Sequence, residues 1–329
     1  MSARKEIKTT QAVLNQFHPL VAEWFLVHIG SPTDLQEKAW PKIAAGEHVL
    51  ISAPTGSGKT LAAFLWAINQ LIVGKWPLGR TGVLYVSPLK ALNNDVRRNL
   101  LRPLAELRKV FDGAGELFPA IAVATRSGDT PQSERRRMQH HPPEILITTP
   151  ESLNLLLSSK GGRSILTSLT TVILDEIHAV VDGKRGAHLM TAVDRLVPLS
   201  GEFQRIALSA TVRPLQTVAE FVGGYVMAGN PHNPRYSVRH VQVVKSFQKK
   251  NYCLRVGFPQ GAIDWDDRAD FWQPFVAELK SIVLKNRSTL IFANSRRFCE
   301  KFTHLLNQDE PAPIAYAHHG SLAPEKRPE

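Results

Sequence analysis

Short runs of β-branched and aliphatic residues alternate with longer stretches of helical periodicity from Glu47 to about Val226. Strands are expected at His48–Ser52, Val83–Ser87, Ala120–Thr125, Ile145–Thr148, Val172–Asp175 and Arg205–Ser209. Between them, Leu61–Val73, Ala91–Val110, Glu151–Leu157 and Leu189–Leu196 space their apolar residues as helices do. The strand runs are apolar throughout instead of alternating, as in parallel strands covered on both faces. The order predicts an α/β fold, a parallel sheet with helices on both faces.

The pattern changes after Val226. Gly229-Asn230-Pro231-His232-Asn233-Pro234 is a turn-rich break, and Val241–Gln260 reads as irregular strand and loop. Two helices, Ala269–Lys285 and Arg296–Leu306, then alternate with strand candidates Thr289–Ala293 and Ile314–Ala317. The expected organisation is a first domain over 1–230, a linker over 231–263 and the start of a second α/β domain over 264–329.

Composition adds a bias toward polyanions. Forty Lys and Arg against 29 Asp and Glu give a formal charge of +11 in 329 residues, and each phosphate neutralised by such a surface releases counterions. A generally basic, soluble surface gives the same composition. The two cysteines, Cys253 and Cys299, fit no metal pattern and no disulfide framework. The charged N-terminus lacks a signal-peptide core, and the apolar run Leu61–Val73 is interrupted by Asn69-Gln70 and too short for a bilayer. The expectation is a cytoplasmic protein with no membrane contact.

Chemistry enters at Ala53-Pro54-Thr55-Gly56-Ser57-Gly58-Lys59-Thr60, between a strand and a helix. That is a phosphate loop. Gly56 and Gly58 let backbone amides turn toward phosphate oxygens, Lys59 supplies a point charge, and Thr60 offers a hydroxyl to Mg²⁺. Ala53 replaces the usual first glycine. The strand Val172-Ile173-Leu174 then ends in Asp175-Glu176-Ile177-His178. A carboxylate at the tip of a parallel strand lies where such sheets bind ligands: Asp175 is the metal candidate and Glu176 the base for an attacking water. Two adjacent acids could instead cap a helix, and a lone histidine such as His178 is more often a packed or hydrogen-bonding residue.

The motif series as a whole carries a resemblance. Pro32-Thr33-Asp34-Leu35-Gln36, the phosphate loop, Ser87-Pro88-Leu89-Lys90-Ala91-Leu92-Asn93, Arg126-Ser127-Gly128-Asp129-Thr130, Thr148-Thr149-Pro150-Glu151-Ser152-Leu153, the Asp-Glu-Ile-His box and Leu208-Ser209-Ala210-Thr211 follow in order. The series resembles the first RecA-like lobe of a superfamily 2 DExH-box helicase. The Asp-Glu-Ile-His box, the Arg126-Ser127-Gly128-Asp129-Thr130 segment and the Lys184-Arg185-Gly186 run just after the box all resemble one group within it, the large helicase-related (Lhr) family. Asn294-Ser295-Arg296-Arg297 and His318-His319-Gly320-Ser321-Leu322 resemble that family's second-lobe motifs.

The resemblance implies a RecA-like phosphate-loop NTPase fold, followed by an incomplete second RecA-like lobe. It implies ATP and Mg²⁺ as cofactors, single-stranded DNA or RNA as partner, and an ATP-dependent helicase activity. Gln36, with Thr33, would read adenine, and Thr55, Gly56, Ser57, Gly58, Lys59 and Thr60 would hold the phosphates. Pro88, Lys90, Asn93, Gly128, Asp129, Thr149 and Pro150, with Asn294, His319 and Gly320, would grip nucleic acid. His178, Ser209 and Thr211 would couple nucleotide state to lobe movement. Each of these loops alone would be ordinary turn chemistry. The sequence stops at Glu329, before the family's motifs V and VI and its arginine finger. An arginine finger is worth about 10³–10⁵ in rate, so the expectation is a weak or inactive motor unless another chain supplies the remainder. A nucleotide- and nucleic-acid-binding module without turnover is the alternative.

Overall fold

In the computed structural model, residues 12–88, 90–230, 233–246, 253–259 and 272–318 are described, with the side chains of 90–95, 229, 230 and 233 excepted. The chain divides into two compact units, Met1–Gln248 and Lys249–Glu329.

The first unit is built on a sheet of β1 (His48–Ser52), β2 (Val83–Val86), β3 (Val123–Arg126), β4 (Ile145–Thr148), β5 (Thr171–Leu174), β6 (Gln204–Ser209) and β9 (Val241–Lys245). Its order is β3-β4-β2-β5-β6-β1-β9, and every neighbouring pair is parallel. Successive strand residues point to opposite faces, and both faces are packed. Val49, Ile51, Val83, Tyr85, Ile145, Ile147, Ile173, Ile206 and Leu208 join one core, whereas Leu50, Leu84, Val86, Leu146, Val172, Leu174 and Ala207 join the other. Helices α1 (Pro19–His28), α2 (Asp34–Ala44), α3 (Lys59–Ile72) and α4 (Lys90–Ala114) cover the first face. On the second lie α6 (Pro150–Ser158), α7 (Lys160–Ile165), α8 (Lys184–Asp194) and α10 (Leu215–Gly223). Two short helices, α5 (Gln132–His140) and α9 (Val197–Ser200), complete the unit. This is the RecA-like arrangement.

The first unit runs past the expected boundary at 230. Tyr225–Asn230 (β7) and Asn233–Val238 (β8) form an antiparallel hairpin, and β9 pairs with β1 from His48↔Val241 to Ser52↔Lys245. Val241 buries on one face of the sheet and Val244 on the other. Burial on both faces makes an edge strand of a short run that its flanking turn residues disguise in sequence.

The second unit contains α11 (Trp272–Lys285) and α12 (Arg296–Asn307). Neither expected strand, Thr289–Ala293 nor Ile314–Ala317, forms a ladder among the described residues. Leu290 and Phe292 are exposed. At the other segment a side chain takes the place of a partner strand: Asn307 Oδ1 accepts from the amides of Ile314 (2.8 Å) and Ala315 (2.9 Å), and its Nδ2 donates to Ala315 O (2.8 Å). A strand needs a neighbour to complete its hydrogen bonds, and the described residues provide none. No helix among the described residues is long and apolar enough to cross a membrane.

Candidate nucleotide and nucleic-acid site

In a parallel sheet all C-terminal strand ends share one edge. Ser52 stands opposite Ser209, and Val86 opposite both Thr148 and Leu174, with Arg126 beside Thr148. The loops after β1, β2, β3, β4, β5 and β6 therefore leave from a single edge, where open α/β sheets bind ligands.

The loop after β1 forms one wall. Gly56 and Gly58 both have φ of 82°, in the left-handed region. Gly58 caps α3 without any side-chain hydrogen bond, so the first amides of that helix remain open to an anion. Lys59 is buried, and its Nζ donates to the carbonyls of Ala53 (2.6 Å) and Pro54 (3.0 Å). Thr55 is exposed; Ser57 and Thr60 are half-buried, and the Ser57 hydroxyl is enclosed without a hydrogen-bond partner.

Thr33 and Gln36 brace this loop from α2. The Thr33 hydroxyl accepts from Gln36 N (3.3 Å) while Gln36 Oε1 accepts from Thr33 N (2.9 Å), a reciprocal capping box. The same side chains reach the loop: Thr33 Oγ1 donates to Ser57 O (3.3 Å) and Gln36 Nε2 to Gly58 O (3.5 Å). A Cβ at Gly58 would lie 2.8 Å from Gln36 Nε2, so the contact needs glycine twice over, for φ and for space. Gln36 is 2% exposed. The amide expected at adenine is engaged at both ends with the protein.

The acids form the opposite wall. Asp175 is 5% exposed; its Oδ1 accepts from Glu176 N (2.8 Å) and its Oδ2 from the Tyr85 hydroxyl. Burial pushes the Asp175 carboxyl above its ordinary value, against the pull of these two donors. Burial, reinforced by the Asp175 charge, pushes the Tyr85 phenol up as well, so Tyr85 is the donor. Phe64 stacks on Tyr85 at 5.1 Å and fixes the ring. Glu176 adopts φ 46°, a left-handed conformation that costs a non-glycine residue about 1–3 kcal/mol. Its Oε2 lies 3.3 Å from His178 Nδ1, and that same nitrogen accepts from Ala210 N at 3.2 Å. His178 thus meets the backbone between Ser209 and Thr211. Ser209 Oγ is buried with no hydrogen-bond partner, and Thr211 is exposed. Ser52 Oγ donates to Ala210 O (3.2 Å), and Ala53 N to Ser209 O (3.2 Å), joining this segment to the phosphate loop. A cavity of about 480 Å³ lies between the walls, bounded by Gly56, Lys59, Thr60, Asp175 and Glu176.

The remaining loops surround the same edge. Gly128 and Asp129 are exposed at a turn closed by Thr130, whose hydroxyl accepts from Ser127 N (2.8 Å) and donates to Thr125 O (3.1 Å). Arg135 clamps that turn through Thr130 O and Gly128 O, at 2.7 Å each. Thr149 and Pro150, expected at nucleic acid, are buried; Thr149 Oγ1 caps α6 by accepting from Ser152 N (3.3 Å), which leaves Glu151 as the exposed group there. Pro88 is buried too, and Arg185 donates to its carbonyl (2.6 Å). Lys90 and Asn93 open α4, but their side chains lie outside the described residues, as do His319 and Gly320. Asn294 is exposed in the second unit.

Residues 33–221 match the pattern of the DEAD/DEAH box helicases. The chain belongs to that family. Among individual relatives it is similar to the ATP-dependent helicase Lhr-Core protein 2 of Thermococcus barophilus, with 43% identity over 316 residues, 93% of this chain and 35% of the relative. The Lhr helicase/uracil glycosylase of Escherichia coli is 41% identical over 89% of this chain and 20% of its own length. Among solved structures, Mycobacterium smegmatis helicase Lhr bound to single-stranded DNA and AMP-PNP matches with a TM-score of 0.81 at 44% identity, over 96% of this chain and 40% of that one. The DEAD-box helicase Mss116 bound to single-stranded RNA and UDP-BeF shares the fold, with a TM-score of 0.71 at 17% identity over 97% of this chain and 62% of that one. The chain thus spans roughly a fifth to two fifths of the Lhr-type relatives it matches.

Within this helicase lobe the sequence reading left two residues without a task. Tyr85 sits in an apolar strand run, yet a buried phenol requires a partner, and that requirement was the available signal. Arg185 belongs in sequence only to the Lys184-Arg185-Gly186 run, and its two acceptors come from segments distant in sequence.

Proposed function

We propose that this chain forms the ATP-binding and strand-gripping part of an ATP-dependent helicase. The observation that carries the reading is the single cavity that the phosphate loop and the Asp175-Glu176 pair wall from opposite sides. The triphosphate of ATP would lie along Gly56, Ser57 and Gly58 at the open end of α3. Lys59 would exchange its bonds to Ala53 O and Pro54 O for phosphate oxygens, a charge-assisted and therefore stronger contact. Thr60 Oγ1 and an Asp175 carboxylate oxygen would hold Mg²⁺. That oxygen-only set suits a hard cation that keeps waters and substrate phosphates as its other ligands. Bound Mg²⁺ would offset the charge that builds on the phosphates. Tyr85 would keep the Asp175 carboxylate turned toward the cavity, and Glu176 would orient the attacking water and take its proton.

Gln36 and Thr33 act in this reading through the loop they brace, with contact to the base a secondary role. Single-stranded DNA or RNA would cross the loops after β2, β3 and β4, where exposed Gly128 and Asp129 offer turn geometry suited to the backbone and not to base identity. His178, bonded to Ala210 N between Ser209 and Thr211, would pass the state of Glu176 to that segment. Asn294, His319 and Gly320 belong to the same proposal as second-lobe contacts.

The test is ATP turnover with and without an oligothymidylate or oligouridylate strand, in the parent chain and in Glu176→Gln. The expected result is nucleotide binding in both and turnover at least about 100-fold lower in the variant, because an amide cannot accept the water's proton. Equal turnover in the two would remove Glu176 from the mechanism. Strand and nucleotide binding without turnover in the parent would leave a binding module.

A further inference from the structure

Arg185 stands at the second position of α8 with two acceptors from different parts of the chain. Its Nε donates to Glu151 Oε1 at 2.7 Å and its Nη2 to Pro88 O at 2.6 Å. Glu151 lies in the first turn of α6, directly after β4, and Pro88 in the loop after β2. Arg185 itself follows β5. Since β4, β2 and β5 are adjacent in the sheet, one guanidinium spans the ends of three neighbouring strands.

The segment that presents it is tightly built. From Asp175 the chain makes a 3-10 turn, Ile177–Ala179, and then folds back so that Gly183 N donates to Val180 O (3.1 Å) and Gly186 N to Gly183 O (3.0 Å). A Cβ at Gly186 would lie 2.3 Å from Val180 O, backbone against backbone. Only glycine lets α8 start so close to the acid box. The side chains of the Arg185–Glu151 pair are 43% and 55% exposed, and ion pairs in that setting add little to stability. The geometry therefore points to position.

We propose that Arg185 is a positioning residue that locks the loops after β2 and β4 to the segment carrying Glu176 and His178, so that those loops hold a single strand only while the lock is closed. The inference rests on the proposed strand-gripping role of the loops. A guanidinium can serve two acceptors at a fixed angle, whereas a lysine is a point charge on a flexible stem. The lock therefore depends on the fork, and on the charge-assisted bond that the Glu151 carboxylate accepts from it.

The experiment is fluorescence anisotropy of a labelled oligothymidylate with the parent chain, Arg185→Lys and Glu151→Gln, with nucleotide affinity and thermal midpoint measured alongside. Arg185→Lys keeps the charge, so simple attraction to phosphate predicts no change, whereas loss of the lock predicts affinity about tenfold weaker. Glu151→Gln removes a negative charge from the strand-binding side. Attraction alone then predicts tighter binding, and the lock predicts weaker binding. Weaker strand affinity in both variants, with nucleotide affinity and thermal midpoint unchanged, is the expected result. Parent-like binding by Arg185→Lys, or tighter binding by Glu151→Gln, overturns the proposal. If Arg185→Lys fails to fold, the sign of the change in Glu151→Gln still decides. A parent chain that does not bind the strand at all overturns the strand-gripping reading, and the lock with it.

Discussion

The two units of this chain use similar sequence patterns and reach different ends. In the first, apolar strands alternate with amphipathic helices, and both faces of a seven-stranded sheet are packed. In the second, an equally apolar run, Thr289-Leu290-Ile291-Phe292-Ala293, sits between two helices, yet Leu290 and Phe292 face solvent. Helix α11 contains no buried residue, and Leu306 is the buried residue of α12. An apolar run becomes a strand when neighbours complete its ladder and helices cover both faces. The first unit supplies six partners and a helical layer on each side. The described part of the second supplies neither.

Core truncation separates the units most sharply. Leu50→Ala, in a strand paired on both sides and fully buried, should lower the stability of the first unit by about 2–5 kcal/mol through lost burial and the cavity left behind. Leu290→Ala, at a position 79% exposed, should change the unfolding free energy by less than about 0.5 kcal/mol. Urea denaturation followed by tryptophan fluorescence measures both. A large loss from Leu290→Ala would show that the second unit is as well packed as the first.

Nucleotide binding should belong to the first unit alone. Lys59→Ala removes the one ammonium in the phosphate loop, and a charge-assisted hydrogen bond contributes about 1.5–3 kcal/mol, so Mg-ATP affinity should fall about 10- to 100-fold. The variant should still fold, with a somewhat lower thermal midpoint because the carbonyls of Ala53 and Pro54 lose their donor. Calorimetry showing unchanged affinity in the folded variant would move the binding site elsewhere.

The smallest effect sharpens the boundary between the units. Arg239, just before β9, is buried and gives Glu202 a two-pronged contact, Nε to Oε2 at 3.0 Å and Nη2 to Oε1 at 2.6 Å. That contact holds the Glu202 carboxyl below its ordinary value of 4.5. A carboxyl depressed in the folded state stabilises above its unfolded pKa and ceases to do so as pH falls through the folded one. The contribution should be complete at neutral pH, fade below about 4.5 and vanish once Glu202 is protonated in the fold. With half of the carboxylate in solvent, its size is about 1 kcal/mol. Glu202→Gln should lose that stability at pH 7, and the gap to the parent should narrow as pH falls below about 4.5. A constant gap would mean that the pair does not help to anchor the Val241–Lys245 strand.

Much of the first unit could be read before any coordinate. Ile145–Thr148 and His48–Ser52 are strands at the expected residues, and the other four expected strands shift by one to three positions at an end. The phosphate loop was legible because its pattern is local: two glycines, a lysine and a threonine lie within a single turn between a strand and a helix. The same holds for the box that starts at Asp175, at the end of an apolar run. Val241–Gln260 reads in sequence as irregular strand and loop; that Val241–Lys245 joins the first unit's sheet was not legible, because its partner β1 lies far away in sequence.

Sequence by itself determined the alternation of strands and helices, the phosphate loop, the acid pair and the family, all of which depend on residues close together or on their order. Tertiary structure alone decided what each side chain does once placed. Gln36 braces the loop and does not lie open toward a base; Tyr85 meets Asp175 across two adjacent strands; Arg185 joins the ends of three. The physical reason is the same in each case. A hydrogen bond is fixed by the position of its acceptor, and in a parallel sheet the acceptors that meet at one edge come from segments separated by a full crossover.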